Sequence, residues 1–112
     1  MVVDYELNEL KREFLDEARE KVDEMQTALG TVDERSSLDR LAYLAHQLKG
    51  SGGSYGYQRI SLDAAELEKV VESLTDGNGN GSDAEKIQQC VGNLRTEIDR
   101  ALTELQPQEL RP

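Results

Sequence analysis

The chain has 112 residues, a length that predicts one domain spanning residues 1–112. Its 13 basic and 23 acidic residues give a formal net charge of −10, which would repel a phosphate backbone and argues against a nucleic-acid partner. No apolar stretch is long enough to span a bilayer, and the acidic N-terminus lacks the pattern of a secretory signal, so we expect a cytoplasmic protein with no membrane partner.

The first predicted helix runs from Asp4 to Leu29. Its apolar residues recur every three or four positions, the spacing of an amphipathic helix with one buried face. They are Leu7, Leu10, Phe14, Ala18, Val22, Met25 and Leu29. Because this helix is longer than most helices of globular proteins, we expect either a break within it or an extra turn that projects from the domain.

A second helix follows Gly30, with Ser36 or Ser37 as the expected N-cap. Its predicted buried face consists of Leu41, Leu44, Leu48 and Tyr55. After a turn near residues 54–57, the same periodicity predicts a third helix over residues 58–74. Its apolar positions are Ile60, Ala64, Leu67, Val71 and Leu74.

Residues 75–83, "TDGNGNGSD", contain no apolar side chain and predict a flexible loop. Ser82 or Asp83 is positioned to cap a last helix over residues 83–105, which ends before Pro107. Its apolar stripe comprises Ile87, Val91, Leu94, Ile98, Leu102 and Leu105. No segment has the alternation of a strand, so the sequence predicts an all-α, antiparallel up-and-down four-helix bundle.

The sequence gives little support for a metal or cofactor of the protein's own. Cys90 is the only cysteine, which excludes an internal disulfide and the usual zinc spacings, and we expect it to be a small apolar residue. The loop from Asp76 begins like a calcium loop, but its twelfth position is Ile87, where a bidentate glutamate is needed. No glycine-rich motif for ATP is present.

His46 is the only histidine, and the helical wheel places it on the side of the second helix away from the leucines. Within about 60° of it on the wheel lie Ala42, Lys49, Gly50 and Gly53. Interior glycines cost about 1 kcal/mol each relative to alanine, so we interpret them as making room for a large partner near the imidazole. An accessible neutral imidazole has a free ring nitrogen that can act as a nucleophile. A surface histidine of no functional importance is the alternative.

The string "HQLKGSGGSYG", residues 46–56, resembles the signature of histidine phosphotransfer (HPt) domains. The likeness continues through "YQRISLDAAELE" and, upstream, "FLDEAREKVDEMQTAL", which is similar to the opening helix of the chemotaxis-kinase branch. It covers roughly residues 10–75, with the last helix fitting only as a generic one. The resemblance implies a four-helix bundle that exchanges a phosphoryl group between a histidine and the aspartate of a response-regulator receiver domain.

Carried over residue by residue, the resemblance makes His46 the phosphoacceptor, at its Nε2 atom, and Lys49 the partner of the phosphate charge. Gly50 leaves the ring accessible. Gly53 and Gly56 match the small positions that allow a receiver to sit close.

The chemotaxis-kinase branch also has a glutamate that orients the imidazole, and Glu68 occupies the matching position. A solvated carboxylate at the helix edge is the alternative for this residue. Ala65 stands where the branch often has a second histidine, so the complete hydrogen-bond network of that branch is not expected. Tyr43 and Tyr57 are candidates for an apolar docking surface, although Tyr57 could instead close the turn.

The resemblance thus predicts a phosphocarrier that has no ATP site of its own and transfers phosphoryl groups only together with a partner. We expect it to be a monomer. Its expected partners are a receiver domain that brings Mg²⁺ and a histidine kinase or hybrid kinase. Two alternatives remain open: a helical scaffold in which the histidine is incidental, and the phosphoacceptor part of a larger histidine kinase.

Overall fold

The computed structural model describes residues 2–31, 34–77 and 82–105, and every regular element in these ranges is helical. Helix α1 spans Val2–Ala28 and continues into a 3-10 turn at Leu29–Thr31. Helices α2, α3 and α4 span Arg35–Ser54, Gln58–Thr75 and Asp83–Leu105. Each helix packs against the one before and the one after it in the chain, and α4 packs against α1. The predicted all-α four-helix bundle is confirmed.

The core is one cluster of apolar side chains to which all four helices contribute. The apolar positions that the periodicity predicts for α2, α3 and α4 are buried, except that Tyr55, Leu74 and Leu105 are half-buried at its edge. None of the described helices is apolar enough over a sufficient length to cross a membrane.

Helix α1 is continuous, and its N-terminal part extends beyond the packed bundle. Leu15, Val22 and Met25 are fully buried, whereas Leu7 and Leu10 are exposed. The prediction that these two leucines belong to the buried stripe was therefore wrong. The physical reason is the length of the helix. Helix α1 has 27 residues and the other helices have 18 to 23, so the first turns of α1 extend past the ends of the helices that pack against it.

The start of α2 also differs from the prediction. Glu34 occupies the N-cap position and makes no side-chain capping bond, so neither Ser36 nor Ser37 caps the helix. The helix begins before either serine, which leaves both inside its first turn. The Ser37 hydroxyl instead hydrogen-bonds the Thr31 hydroxyl at 2.6 Å and links α2 to the 3-10 turn.

A tight turn joins α2 to α3, where the sequence predicts one. Gly56 has φ of +85°, a left-handed conformation that residues with a Cβ adopt at a cost, and the Tyr57 amide donates to the Gly52 carbonyl at 2.7 Å. The rings of Tyr55 and Tyr57 both stack on Phe14 of α1, with centroid distances of 5.0 and 5.8 Å. The turn is thus fixed by backbone bonds and by aromatic packing.

The predicted loop over residues 75–83 is shorter at both ends than expected, because Thr75 is the last residue of α3 and Asp83 the first of α4. Gly77, with φ of +80°, follows the end of α3. Residues 78–81, which belong to the calcium-like loop that begins at Asp76, lie outside the described residues.

Candidate functional site

His46 lies on the solvent side of α2, as the helical wheel predicts. Its side chain is 66% exposed, whereas Leu44, Ala45 and Leu48 beside it on the helix are buried. The apolar face of α2 therefore anchors the helix in the core and leaves the imidazole accessible from outside.

Glu68 of α3 connects His46 with Lys49. One carboxylate oxygen lies 2.9 Å from His46 Nδ1, and the other lies 2.8 Å from Lys49 Nζ. The Glu68 side chain is only 15% exposed, so it is not the freely solvated carboxylate that the sequence left as an alternative. A single carboxylate thus uses both oxygens to hold the candidate nucleophile and the neighbouring ammonium.

The charge of this carboxylate determines which nitrogen of the neutral His46 ring carries the proton. The hydrogen bond from Lys49 lowers the pKa of Glu68, the bond with His46 adds to this effect, and partial burial opposes it. An ionised carboxylate only accepts hydrogen bonds, so in the neutral ring the proton resides on Nδ1. The lone pair of Nε2 is then free on the exposed side of the imidazole.

The glycines near His46 have different structural environments. A Cβ atom at Gly50 would meet no other atom within 4 Å, so this position is open space beside the imidazole. Gly53 is also exposed, and a Cβ there would make an ordinary contact of 3.7 Å with the Ser61 hydroxyl. Of the candidate site residues, Gly50 therefore borders open space and Gly53 is exposed but borders α3, while Gly56 has its role in the turn.

Gly52 is the glycine that the sequence reasoning did not single out. It is buried, and a Cβ there would lie 3.1 Å from the backbone nitrogen of Ser61 and 3.3 Å from Cγ2 of Ile60. Its wheel position, on the same side as Leu48, was the available signal for burial. Gly52 therefore sets the close approach of α2 and α3 below the site.

This difference between the glycines predicts opposite effects on stability. We expect Gly50→Ala to stabilise the protein by about 0.5–1 kcal/mol, because alanine is the better helix former and its methyl group meets nothing. We expect Gly52→Val to destabilise it by about 1–3 kcal/mol, because the added atoms meet the α3 backbone. Urea unfolding monitored by circular dichroism measures both. Equal effects of the two substitutions would contradict the assignment.

Tyr43 is held on the surface one turn before His46. The residue is 52% exposed, the Gln47 amide donates to its hydroxyl at 2.9 Å, and the Arg40 guanidinium lies 5.2 Å from the ring centroid. Arg40 is in turn paired with Glu24 of α1 through two hydrogen bonds. The tyrosine is therefore an exposed aromatic side chain whose position is already restricted.

An open surface groove of about 620 Å³ runs beside His46 along the α1–α2 seam. It is lined by residues of both helices, among them Glu17, Lys21, Gly50 and Tyr55. Tyr57 does not line this groove; it lines a different one, between α3 and α4, together with Ile60 and Ala101. Of the two tyrosines that the sequence proposes for docking, Tyr43 is the one that lies next to the imidazole in the helix.

Among the described residues, no group of three or more histidine, cysteine, aspartate or glutamate side chains is arranged to hold a metal ion. Cys90 is buried, and this burial raises the pKa of its thiol. The candidate site consists of the His46 imidazole, the Glu68 carboxylate and the Lys49 ammonium, which are linked by hydrogen bonds.

Comparison with models of protein families identifies the family of the chain. The family model described as the Hpt domain matches residues 9–106, which include α2, α3, α4 and most of α1. The match extends well beyond the part of the chain that carries the sequence resemblance. No curated protein and no solved structure matches the chain.

Proposed function

Because the chain belongs to the Hpt domain family, whose members carry phosphoryl groups on histidine in two-component phosphorelays, we propose that His46 is its phosphoacceptor. Domains of this family are phosphocarriers without a catalytic site of their own, and they work with histidine kinases and receiver domains. The observation that carries the proposal is the environment of the His46 ring. Its Nδ1 atom lies 2.9 Å from the Glu68 carboxylate, and the side chain is 66% exposed.

The reaction that fits this geometry is attack by Nε2 on the phosphorus of an aspartyl phosphate in a receiver domain. The new N–P bond forms as the P–O bond to the aspartate breaks, and the bonding electrons leave with the aspartate carboxylate. The ring keeps its proton on Nδ1 and gains positive charge. The Glu68 carboxylate, already at hydrogen-bond distance, compensates that charge.

Lys49 supplies a cation that shares the Glu68 carboxylate with His46. Its ammonium binds Glu68 at 2.8 Å and its side chain is 40% exposed, so the flexible four-carbon chain has space in which to swing towards the group on Nε2. We propose that Lys49 offsets the negative charge of the phosphoryl group in the loaded protein. The receiver brings Mg²⁺, so this domain contributes the aligned nucleophile and one positive charge.

The contact between Glu68 and His46 supports placement in the chemotaxis-kinase branch, whose members the sequence also resembles. A histidine kinase or hybrid kinase is the proposed source of the relay's phosphoryl groups, and a receiver domain is the proposed direct partner of His46. We propose that the domain acts as a monomer. Gly50 and Gly53 have no side chains that would obstruct the approach of a receiver domain to the ring.

The direct test uses a receiver domain that has been phosphorylated with ³²P-labelled acetyl phosphate and freed of reagent. Incubation with the domain moves the label to His46, and the product is stable in alkali and labile in acid, as expected of a phosphoramidate. Mass spectrometry of the gently digested product places the added phosphoryl group on the peptide with His46. Label that survives acid treatment, or label on another residue, would overturn the proposal.

Tyr43 is expected to contribute to receiver binding, since an exposed aromatic ring that is already restricted loses little conformational entropy on docking. We expect Tyr43→Ala to raise the KM for the phosphorylated receiver about tenfold, as for truncation of an aromatic anchor worth more than about 1 kcal/mol. Steady-state kinetics of phosphoryl transfer measure this KM. Leu62→Ala is the matched control, because Leu62 of α3 is 65% exposed and lines a different groove, between α3 and α4. An equal rise in KM for both variants would contradict a docking role.

A further inference from the structure

The Ser61 hydroxyl makes a hydrogen bond between helices directly beneath the site. It donates to the backbone carbonyl of Lys49 at 2.8 Å, and this bond joins α3 to the turn of α2 that carries both His46 and Lys49. The bond is partly buried. The ammonium of Lys49 and its carbonyl are therefore both held by α3, the first by Glu68 and the second by Ser61.

Ser61 also lies where the two helices pack closely together. A Cβ at Gly52 would be 3.1 Å from the Ser61 backbone nitrogen, and a Cβ at Gly53 would be 3.7 Å from the Ser61 hydroxyl. The absence of a side chain at Gly52 allows α2 and α3 to approach this closely at the crossing. The hydroxyl bond to Lys49 adds a directional contact, which opposes sliding of one helix along the other.

The spacing along each helix transmits this contact to the site. Glu68 follows Ser61 by seven residues, which is two helical turns, or about 10 Å, on the same face of α3. His46 precedes Gly53 by the same seven residues on α2. Since the helices run in opposite directions, the register at Ser61 determines which residue of α2 faces Glu68. A shift of one residue, about 1.5 Å, would exceed what the bonds to His46 Nδ1 and Lys49 Nζ tolerate.

We propose that Ser61 is a positioning residue, whose hydrogen bond to the Lys49 carbonyl fixes the α2–α3 register so that Glu68 reaches His46 and Lys49 together. This inference rests on the proposed function for its effect on phosphoryl transfer. Its effect on the imidazole does not depend on that function.

The first experiment measures the ring directly. Long-range ¹H–¹⁵N spectra of unphosphorylated protein report which ring nitrogen of His46 carries the proton. In the wild type we expect the form with the proton on Nδ1 to predominate. In Ser61→Ala we expect a larger share of the other tautomer, and in Ser61→Thr, which keeps a hydroxyl, we expect the wild-type pattern. Ser73→Ala, a half-buried serine farther along α3, is the control and leaves the spectrum unchanged.

The second experiment is a double-mutant cycle on the rate of transfer from a phosphorylated receiver. We expect Ser61→Ala to slow transfer about fivefold, the effect of losing one ordinary hydrogen bond. In a Glu68→Gln background the same change should alter the rate less than about twofold, because Ser61 acts through Glu68. Urea unfolding of each variant confirms that it is folded under the assay conditions.

An unchanged ring spectrum in Ser61→Ala would overturn the inference, as would an equal loss of rate in both backgrounds. Because the spectra require no phosphoryl group, a failure of His46 to accept phosphate would leave this result intact. The inference about Ser61 and the proposed function therefore fail separately.

Discussion

Replacement of His46 by glutamine abolishes acceptance of the phosphoryl group while the bundle remains folded. Glutamine has similar length but no nucleophilic ring nitrogen, and the side chain it replaces is exposed, so the core is unaffected. The expected result is loss of acid-labile label to background after incubation with a phosphorylated receiver, with unchanged helicity by circular dichroism. His46 is the only histidine, so no other imidazole can substitute.

A sharper control keeps the composition constant. In the double variant His46→Gln, Gln47→His, the imidazole moves one position along α2, which turns it by about 100° away from Glu68. We expect this variant to accept no more than a small fraction of the wild-type label, although it still contains one histidine. Wild-type transfer by the double variant would show that any exposed imidazole on α2 suffices, and would contradict the role of the site geometry.

Replacement of Glu68 by glutamine has the second largest expected effect. The amide removes the negative charge that binds Lys49 and that balances the charge gained by the phosphorylated ring. Since hydrogen bonds to charged groups contribute about 1.5–3 kcal/mol, we expect transfer to slow by about ten- to a hundredfold. Rapid-quench measurements with the phosphorylated receiver test this. Transfer at the wild-type rate would show that Glu68 has no part in the reaction.

The same substitution has a readout that is independent of transfer. The pKa of Glu68 is lowered in the folded protein, chiefly by Lys49, so its carboxylate contributes stability above its unfolded pKa and loses that contribution as the pH falls through the folded value. The wild type should therefore be more stable than Glu68→Gln at neutral pH, and the difference should shrink as the pH falls well below 4.5. A difference that is constant with pH would argue against the ion pair.

The number and order of helices could be predicted because each helix has an apolar stripe whose period is local information. What the periodicity could not show was where a stripe stops being covered, since that depends on the lengths of neighbouring helices. Leu7 and Leu10 fit the pattern of α1 and yet are exposed for this reason. The capping prediction at Ser36 and Ser37 failed similarly, because the helix begins at Arg35 and not after a capping serine.

In the candidate site, too, features within one helix could be predicted from its periodicity, whereas contacts between helices could not. The exposure of His46 and its proximity to Lys49 follow from positions within one helix, and the sequence predicted them. The contact with Glu68 joins two helices, so it depends on their register, which no single-helix pattern specifies. Glu68 was named only through the family resemblance, and Ser61 was missed because its contact also joins two helices. Gly52 was missed although its wheel position beside Leu48 indicated burial.

The hydrogen bond between Glu68 and His46 Nδ1 also restricts the product that the ring can form. Phosphohistidine exists as two positional isomers, and the isomer substituted at Nδ1 could form only after this bond had broken. The protein should therefore accumulate a single isomer, substituted at Nε2, even with a phosphoryl donor small enough to approach either ring nitrogen. The choice between the isomers then lies in the packing of two helices and is independent of the donor.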